Sequence, residues 1–115
     1  MELGELPLAT DEPFLSGHES AAGHFVKATA ELASGDPAAA VHSLRSALYI
    51  EPRFGLAAFQ LGRAHDALGD REAARRGYER ALRTLDADGP HAELGSAVDV
   101  AEIAAACALR VRALG

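Results

Sequence analysis

"GDPAAAVHSLRSALYIEP" runs from Gly35 to Pro52, and thirty-four residues later the chain repeats its pattern as "GDREAARRGYERALRTLD", Gly69 to Asp86. Each copy opens on Gly-Asp, the pair that ends one helix and starts the next. Glycine takes the left-handed conformation of a helix C-terminus without steric cost, and aspartate caps the helix that follows. Alanines and one larger apolar residue then recur at helical spacing. Each copy therefore reads as the second half of a tight helical hairpin.

Working outward, the punctuation predicts five helices. Ser16 and Glu19 form an S-x-x-E capping box, which predicts a first helix from near residue 17 to Gly35. Asp36-Pro37 starts a second helix that reaches Ile50, and Glu51-Pro52 breaks the chain before a third. A fourth follows Gly69-Asp70 and ends near Leu85. "DADGP", Asp86 to Pro90, reads as a loop. The fifth helix is expected to be capped by Asp99, with Glu102 three residues on, and carries Val100, Ile103, Cys107, Val111 and Leu114 on one stripe.

Composition limits what such a chain can be. It has 115 residues, 49% of them hydrophobic, enough for one compact core and too few for two. Alanine and leucine dominate, and no stretch alternates as a half-buried strand must, so the fold class is all-α. A net charge of −6 argues against a general nucleic-acid binder. No apolar run approaches the ~20 residues that cross a bilayer. No basic stretch followed by an apolar one marks an export signal, and the single cysteine, Cys107, has no internal partner for a disulfide. A cytoplasmic setting is the expectation, with no membrane insertion.

A helix-turn-helix unit recurring at this period resembles the tetratricopeptide repeat. In the second copy Leu61, Gly62, Gly69, Ala74, Tyr78 and Ala81 stand on the repeat's characteristic positions, joined by Leu68, while Ala58, His65 and Asp86 depart from the usual large residue, tyrosine and proline. The first copy matches at Gly35, Ala40, Leu44, Ala47 and Pro52, but Lys27, Ala28 and Glu31 stand where leucine, glycine and tyrosine belong. The acidic N-terminal segment over 1–15 is expected to be flexible, and the resemblance implies a repeat domain over 16–115. Within it, repeat 1 spans about 21–54, repeat 2 about 55–88 and a capping helix about 97–114, in a right-handed solenoid fragment.

The stretch from Gly35 to the C-terminus, with the run "YIEPRFGLAAFQLGRAHDALGD" from Tyr49, the "DADGP" loop and the final D-x-x-E helix, also resembles the repeat-containing tail of some bacterial chemotaxis methyltransferases of the CheR type. That likeness implies a regulatory role in signal transduction, modulating receptor methylation. No glycine-rich loop following a strand is present to hold S-adenosylmethionine, so neither a cofactor nor enzyme activity is implied for this chain alone. The other readings are a free-standing adaptor or secretion-type chaperone, and the non-catalytic part of a larger enzyme.

In this fold the first helix of each repeat lines a concave groove that receives a protein segment. At 100° per residue Phe59 lies about 160° from Leu61 and so is expected to point away from its own repeat's second helix. Leu56, Gln60 and Arg63 lie near it, and Phe25, with Thr29, is its counterpart one repeat earlier. The candidate groove is therefore Phe25, Thr29, Leu56, Phe59, Gln60 and Arg63, with two aromatic docking points and an arginine able to hold a carboxylate. The other reading has both phenylalanines packed between repeats.

Residues 53–83 hold seven arginines against four acids, whereas the first twenty residues carry five acids and no lysine or arginine. Either these arginines form a solvated face, with Glu72–Arg76 and Glu79–Arg83 in favourable i,i+4 order, or they dock an acidic partner. Metal chemistry fits poorly. His18 and His24 in "HESAAGH" are six apart, roughly 240° around a helix, and His42, His65 and His91 have no companion at ligand spacing. Cys107 on an apolar stripe reads as a core thiol, and His65 as a core or boundary histidine. Nothing obvious covers the N-terminal end of the stack. Leu6, Leu8, Phe14 and Leu15 are candidates, and a second copy docking there as a homo-oligomer is another.

Overall fold

The computed structural model describes residues 20–85 and 100–115. These form five helices: α1 Ala21–Ala33, α2 Pro37–Ile50, α3 Gly55–Ala67, α4 Arg71–Thr84 and α5 Val100–Leu114. Each packs on the next in chain order, with α3 against α4 the most extensive pairing. The fold is an all-α stack of two hairpins closed by a fifth helix.

The two Gly-Asp pairs act alike. Gly35 and Gly69 sit at φ +84° and +79°. In the first turn Gly35 N–H donates to Leu32 O and Asp36 N–H to Glu31 O, and in the second Gly69 donates to Asp66 O and Asp70 to His65 O, all at 2.9–3.1 Å. This pair of bonds satisfies the last carbonyls of the ending helix. Each aspartate then turns its side chain forward: Asp36 accepts from Ala39 N–H at 3.1 Å and Asp70 from Ala73 N–H at 3.2 Å. One residue thus closes one helix through its backbone and opens another through its carboxylate.

The first helix departs from expectation. It begins at Ala21, because Ser20 is extended and its hydroxyl accepts from Gly23 N–H at 2.9 Å, making Ser20 the cap. The Ser16–Glu19 box, the acidic segment, the 86–90 loop and the Asp99 cap lie outside the described residues. α3 also starts differently from α1, α2 and α4. Its N-cap, Phe54, makes no side-chain capping bond and instead buries its ring completely in the core.

Alanine sets the spacing of the core. Ala28, Ala40, Ala47, Ala58, Ala74 and Ala81 are wholly buried, and among the described residues the largest fully enclosed side chains are Phe54, Leu44 and Cys107. Small side chains let helix axes approach until backbones nearly touch. The limit is reached between α3 and α4. A methyl group added at Gly77 would lie 2.8 Å from Gly62 Cα, and one at Gly62 would lie 2.8 Å from the Tyr78 ring.

The first hairpin solves the same contact differently. Ala28 replaces the glycine, and Glu31, standing where tyrosine is usual, accepts a bond from the Ser43 hydroxyl of α2 at 2.8 Å. What reads as degeneracy in α1 is thus a polar tie between α1 and α2. At the other end α5 lays Ile103 and Cys107 into the core, with Val111 and Leu114 partly buried beside them, as its apolar stripe predicts.

Candidate interaction surfaces

The anticipated groove residues fall on α1 and α3, but their aromatic rings are not free. Phe25 is half-buried and packs on Phe54, with ring centroids 5.2 Å apart. Phe59 was expected to face away from α4, yet its ring lies 6.3 Å from that of Tyr78, an α4 residue. Tyr78 causes this: its ring passes over the bare Cα of Gly62 and reaches the α3 side on which Phe59 stands. Each phenylalanine therefore serves the core with one edge and offers the other to the surface.

The polar members are arranged by local bonds. Arg63 is exposed, its Nη1 donates to Gln60 Oε1 at 3.1 Å, and its guanidinium lies 5.8 Å from the centre of the Phe59 ring. These two contacts hold the cation over the ring and limit its wandering. Thr29 spends its hydroxyl on the carbonyl of Phe25, 3.0 Å away, and Leu56 is partly buried. The result is an apolar strip of half-buried side chains bordered by one positioned cation.

Beside this strip stands a polar node that sequence reading missed. Asp66 accepts from Tyr78 Oη at 3.0 Å and takes a two-pronged grip from Arg110 of α5, Nε at 2.9 Å and Nη2 at 2.8 Å. The planar guanidinium matches the carboxylate and ties three helices together. Burial, and then the bond to Asp66, push the Tyr78 hydroxyl up to about 12, so it stays protonated and donates. Arg110, on the exposed side of α5, is raised chiefly by its bond to the same carboxylate. The partners lie 44 residues apart in sequence, and no local spacing reports such a pair.

A second surface was also missed. His42, Arg45, Ser46 and Tyr49 follow one another along the outer side of α2, away from the core residues Ala40, Leu44 and Ala47. Two shallow recesses flank this ridge. One, of about 440 Å³, lies towards α4 and is lined by Arg45, Leu48, Tyr49, Pro52, Leu61 and Arg80. The other, of about 490 Å³, lies towards α1 and is lined by His24, His42, Arg45, Ser46, Tyr49 and Ile50. Tyr49 is 89% exposed, an aromatic standing off the helix's buried stripe. That offset was the available signal.

The arginines of α4 divide between packing and solvent. Arg75 pairs with Glu79 at 3.3 Å, so Glu79 looks back along the helix and not forward to Arg83. Arg76 meets Glu72 at 3.9 Å, with both side chains largely in water. Such pairs contribute little to stability. Arg80 donates to Pro52 O at 3.0 Å and Arg71 to Leu114 O at 3.3 Å, each fastening a chain segment outside its own helix.

Burial shifts two further titratable groups. His65 is buried, and that desolvation holds its pKa below the ordinary value, helped by Arg45 and Arg76 and opposed by Asp70. Burial pushes the Cys107 thiol up to about 11, leaving it protonated and unreactive at neutral pH. Among the described residues no three His, Cys, Asp or Glu side chains gather as a metal site, and no helix is long and apolar enough to cross a membrane.

Comparison with known proteins bears on the fold. The family model for the tetratricopeptide repeat matches residues 31–97, more than half of the chain. No curated protein matches the chain.

Proposed function

The chain belongs to the tetratricopeptide repeat family, and we propose that it is a non-enzymatic, cytoplasmic interaction module that binds a protein segment along the strip made by α1 and α3. Phe25, Leu56 and Phe59 form its apolar floor, and Thr29, Gln60 and Arg63 its polar edge. One observation supports this above the others. Arg63 is exposed yet held over a half-exposed aromatic ring by Gln60, the arrangement that lets a cation grip a carboxylate or carbonyl beside an apolar anchor with little ordering cost.

The half-burial of the phenylalanines decides how to test it. Phe59→Ala would remove core packing along with any contact, so loss of binding in that variant says little. Arg63→Glu changes an exposed side chain alone. It should reduce partner binding at least tenfold while the thermal unfolding curve stays in place. Full binding by Arg63→Glu would remove the strip from consideration.

A finer reading is that the domain regulates which receptor sites a bacterial chemotaxis methyltransferase modifies. Its support is the resemblance of the run from Tyr49 and of the loop-plus-helix ending, with α5 packed on α4 as a closing element. Co-expression with such a methyltransferase and its receptors tests it: the site pattern of receptor methylation should change when this chain, but not its Arg63→Glu variant, is present. An unchanged pattern leaves the adaptor or chaperone reading, in which the same strip receives an unrelated segment.

A further inference from the structure

We propose that the ridge His42–Arg45–Tyr49 on α2, with its two flanking recesses, is a second docking surface, separate from the α1–α3 strip, that receives an acidic peptide carrying an aromatic or bulky apolar anchor.

Charge is the first argument. Among the described residues lining the two recesses, the charged side chains are arginines, Arg45 and Arg80, with His24 and His42 beside them and no carboxylate. An acidic segment complements this cationic lining.

Geometry is the second. Residues 42, 45 and 49 follow i, i+3, i+7 spacing and make a ridge about 10 Å long on one side of α2. Arg45 and Tyr49 belong to both recesses, so a strand-like segment crossing the ridge would meet them wherever it lay. Arg80 is fixed at the far lip by its bond to Pro52 O, and Leu48 and Leu61 give that recess an apolar floor. Tyr49 and Ile50 are exposed where an apolar anchor would cover them.

The test uses the intact chain and a short fluorescent peptide in which one phenylalanine is flanked on both sides by glutamates. The control peptide has glutamine in place of glutamate. Anisotropy should show the acidic peptide binding at least tenfold more tightly than the control, and weakening as salt rises from about 50 to 500 mM, because exposed charges are then screened. Arg45→Glu should lose at least tenfold, Arg45→Lys should keep most of the affinity, and Tyr49→Ser should weaken binding. Both sites are exposed, and unchanged melting curves confirm that the fold is intact. Arg63→Glu should bind normally, which separates this surface from the strip. Equal binding of the two peptides, indifference to Arg45→Glu, or loss with Arg63→Glu would each overturn the proposal. So would either of two competing occupants. A variant with Glu2, Glu5, Asp11 and Glu12 changed to glutamine that binds the peptide tenfold tighter would show that the chain's own N-terminal segment fills the site. Sedimentation showing a dimer that Arg45→Glu dissolves would show that a second copy does.

Discussion

Gly62 and Gly77 meet where α3 and α4 touch most closely, and the absence of two methyl groups sets the geometry of the whole second repeat. Alanine is the better helix former by about 1 kcal/mol. At Gly77, however, the added carbon would lie 2.8 Å from the Gly62 backbone, which cannot turn aside as a side chain can. Overpacking of this kind costs roughly 1–3 kcal/mol, so Gly77→Ala should lower the melting temperature despite its helix propensity. A melting temperature that rises would mean the helices can separate without loss. The sequence offered Gly62 as a repeat position but gave no reason to single out Gly77, since the contact between them exists only after the hairpin closes.

His65 makes a residue-scale prediction of another kind. Its native pKa is depressed, mainly by burial, so the folded form resists a proton that the unfolded chain accepts near the usual pKa of about 6.5. The unfolded state therefore binds more protons as the solution is acidified, and stability should be complete above about pH 6.5 and fall as the pH drops towards the native value. Arg45 and Arg76 favour the neutral ring and Asp70 the charged one. Replacing His65 by glutamine should flatten part of the fall in melting temperature between about pH 7 and pH 5. An identical slope in the variant would place its cause elsewhere.

At the scale of elements, helix ends were legible wherever a short motif closes them. Gly35-Asp36 and Gly69-Asp70 mark both hairpin turns, and the stripe of α5 named Ile103 and Cys107 as its buried side. The start of α1 was not legible, because Ser20 is marked as the cap by its extended backbone and its bond from Gly23, which no local spacing reports. Phe54 was missed for a related reason: it stands in a turn, where apolar periodicity carries no information, and yet it is among the largest wholly buried side chains. The Asp66–Tyr78–Arg110 node joins three elements and so has no local signature at all. It predicts that Arg110→Ala will speed amide exchange in α5 more than in α2, since α5 loses its two-pronged tie to α3 while the first hairpin is untouched. Equal acceleration in both helices would show that α5 is held by its apolar stripe alone.

At the scale of the molecule, two repeats and a closing helix bury a core made chiefly of alanine, so stability comes from close approach and not from bulk. Such a stack presents much surface for its size, and its two candidate docking surfaces are centred on different helices: the strip on α1 and α3, and the ridge on α2, whose recesses reach His24 of α1, Leu61 of α3 and Arg80 of α4. The groove residues read from sequence lie on α1 and α3. Whether those side chains are core or surface could not be read from helical angles, because Tyr78 crosses over Gly62 and draws Phe59 into the packing. The most direct measurement of the proposed role is selection of peptides from a random display library on the intact chain, followed by mapping of amide shifts on binding. Shift changes clustered at Phe25, Thr29, Leu56, Phe59, Gln60 and Arg63, and lost in Arg63→Glu, are the predicted result. Failure to select any peptide, or binding that moves no amide on α1 or α3, would contradict it.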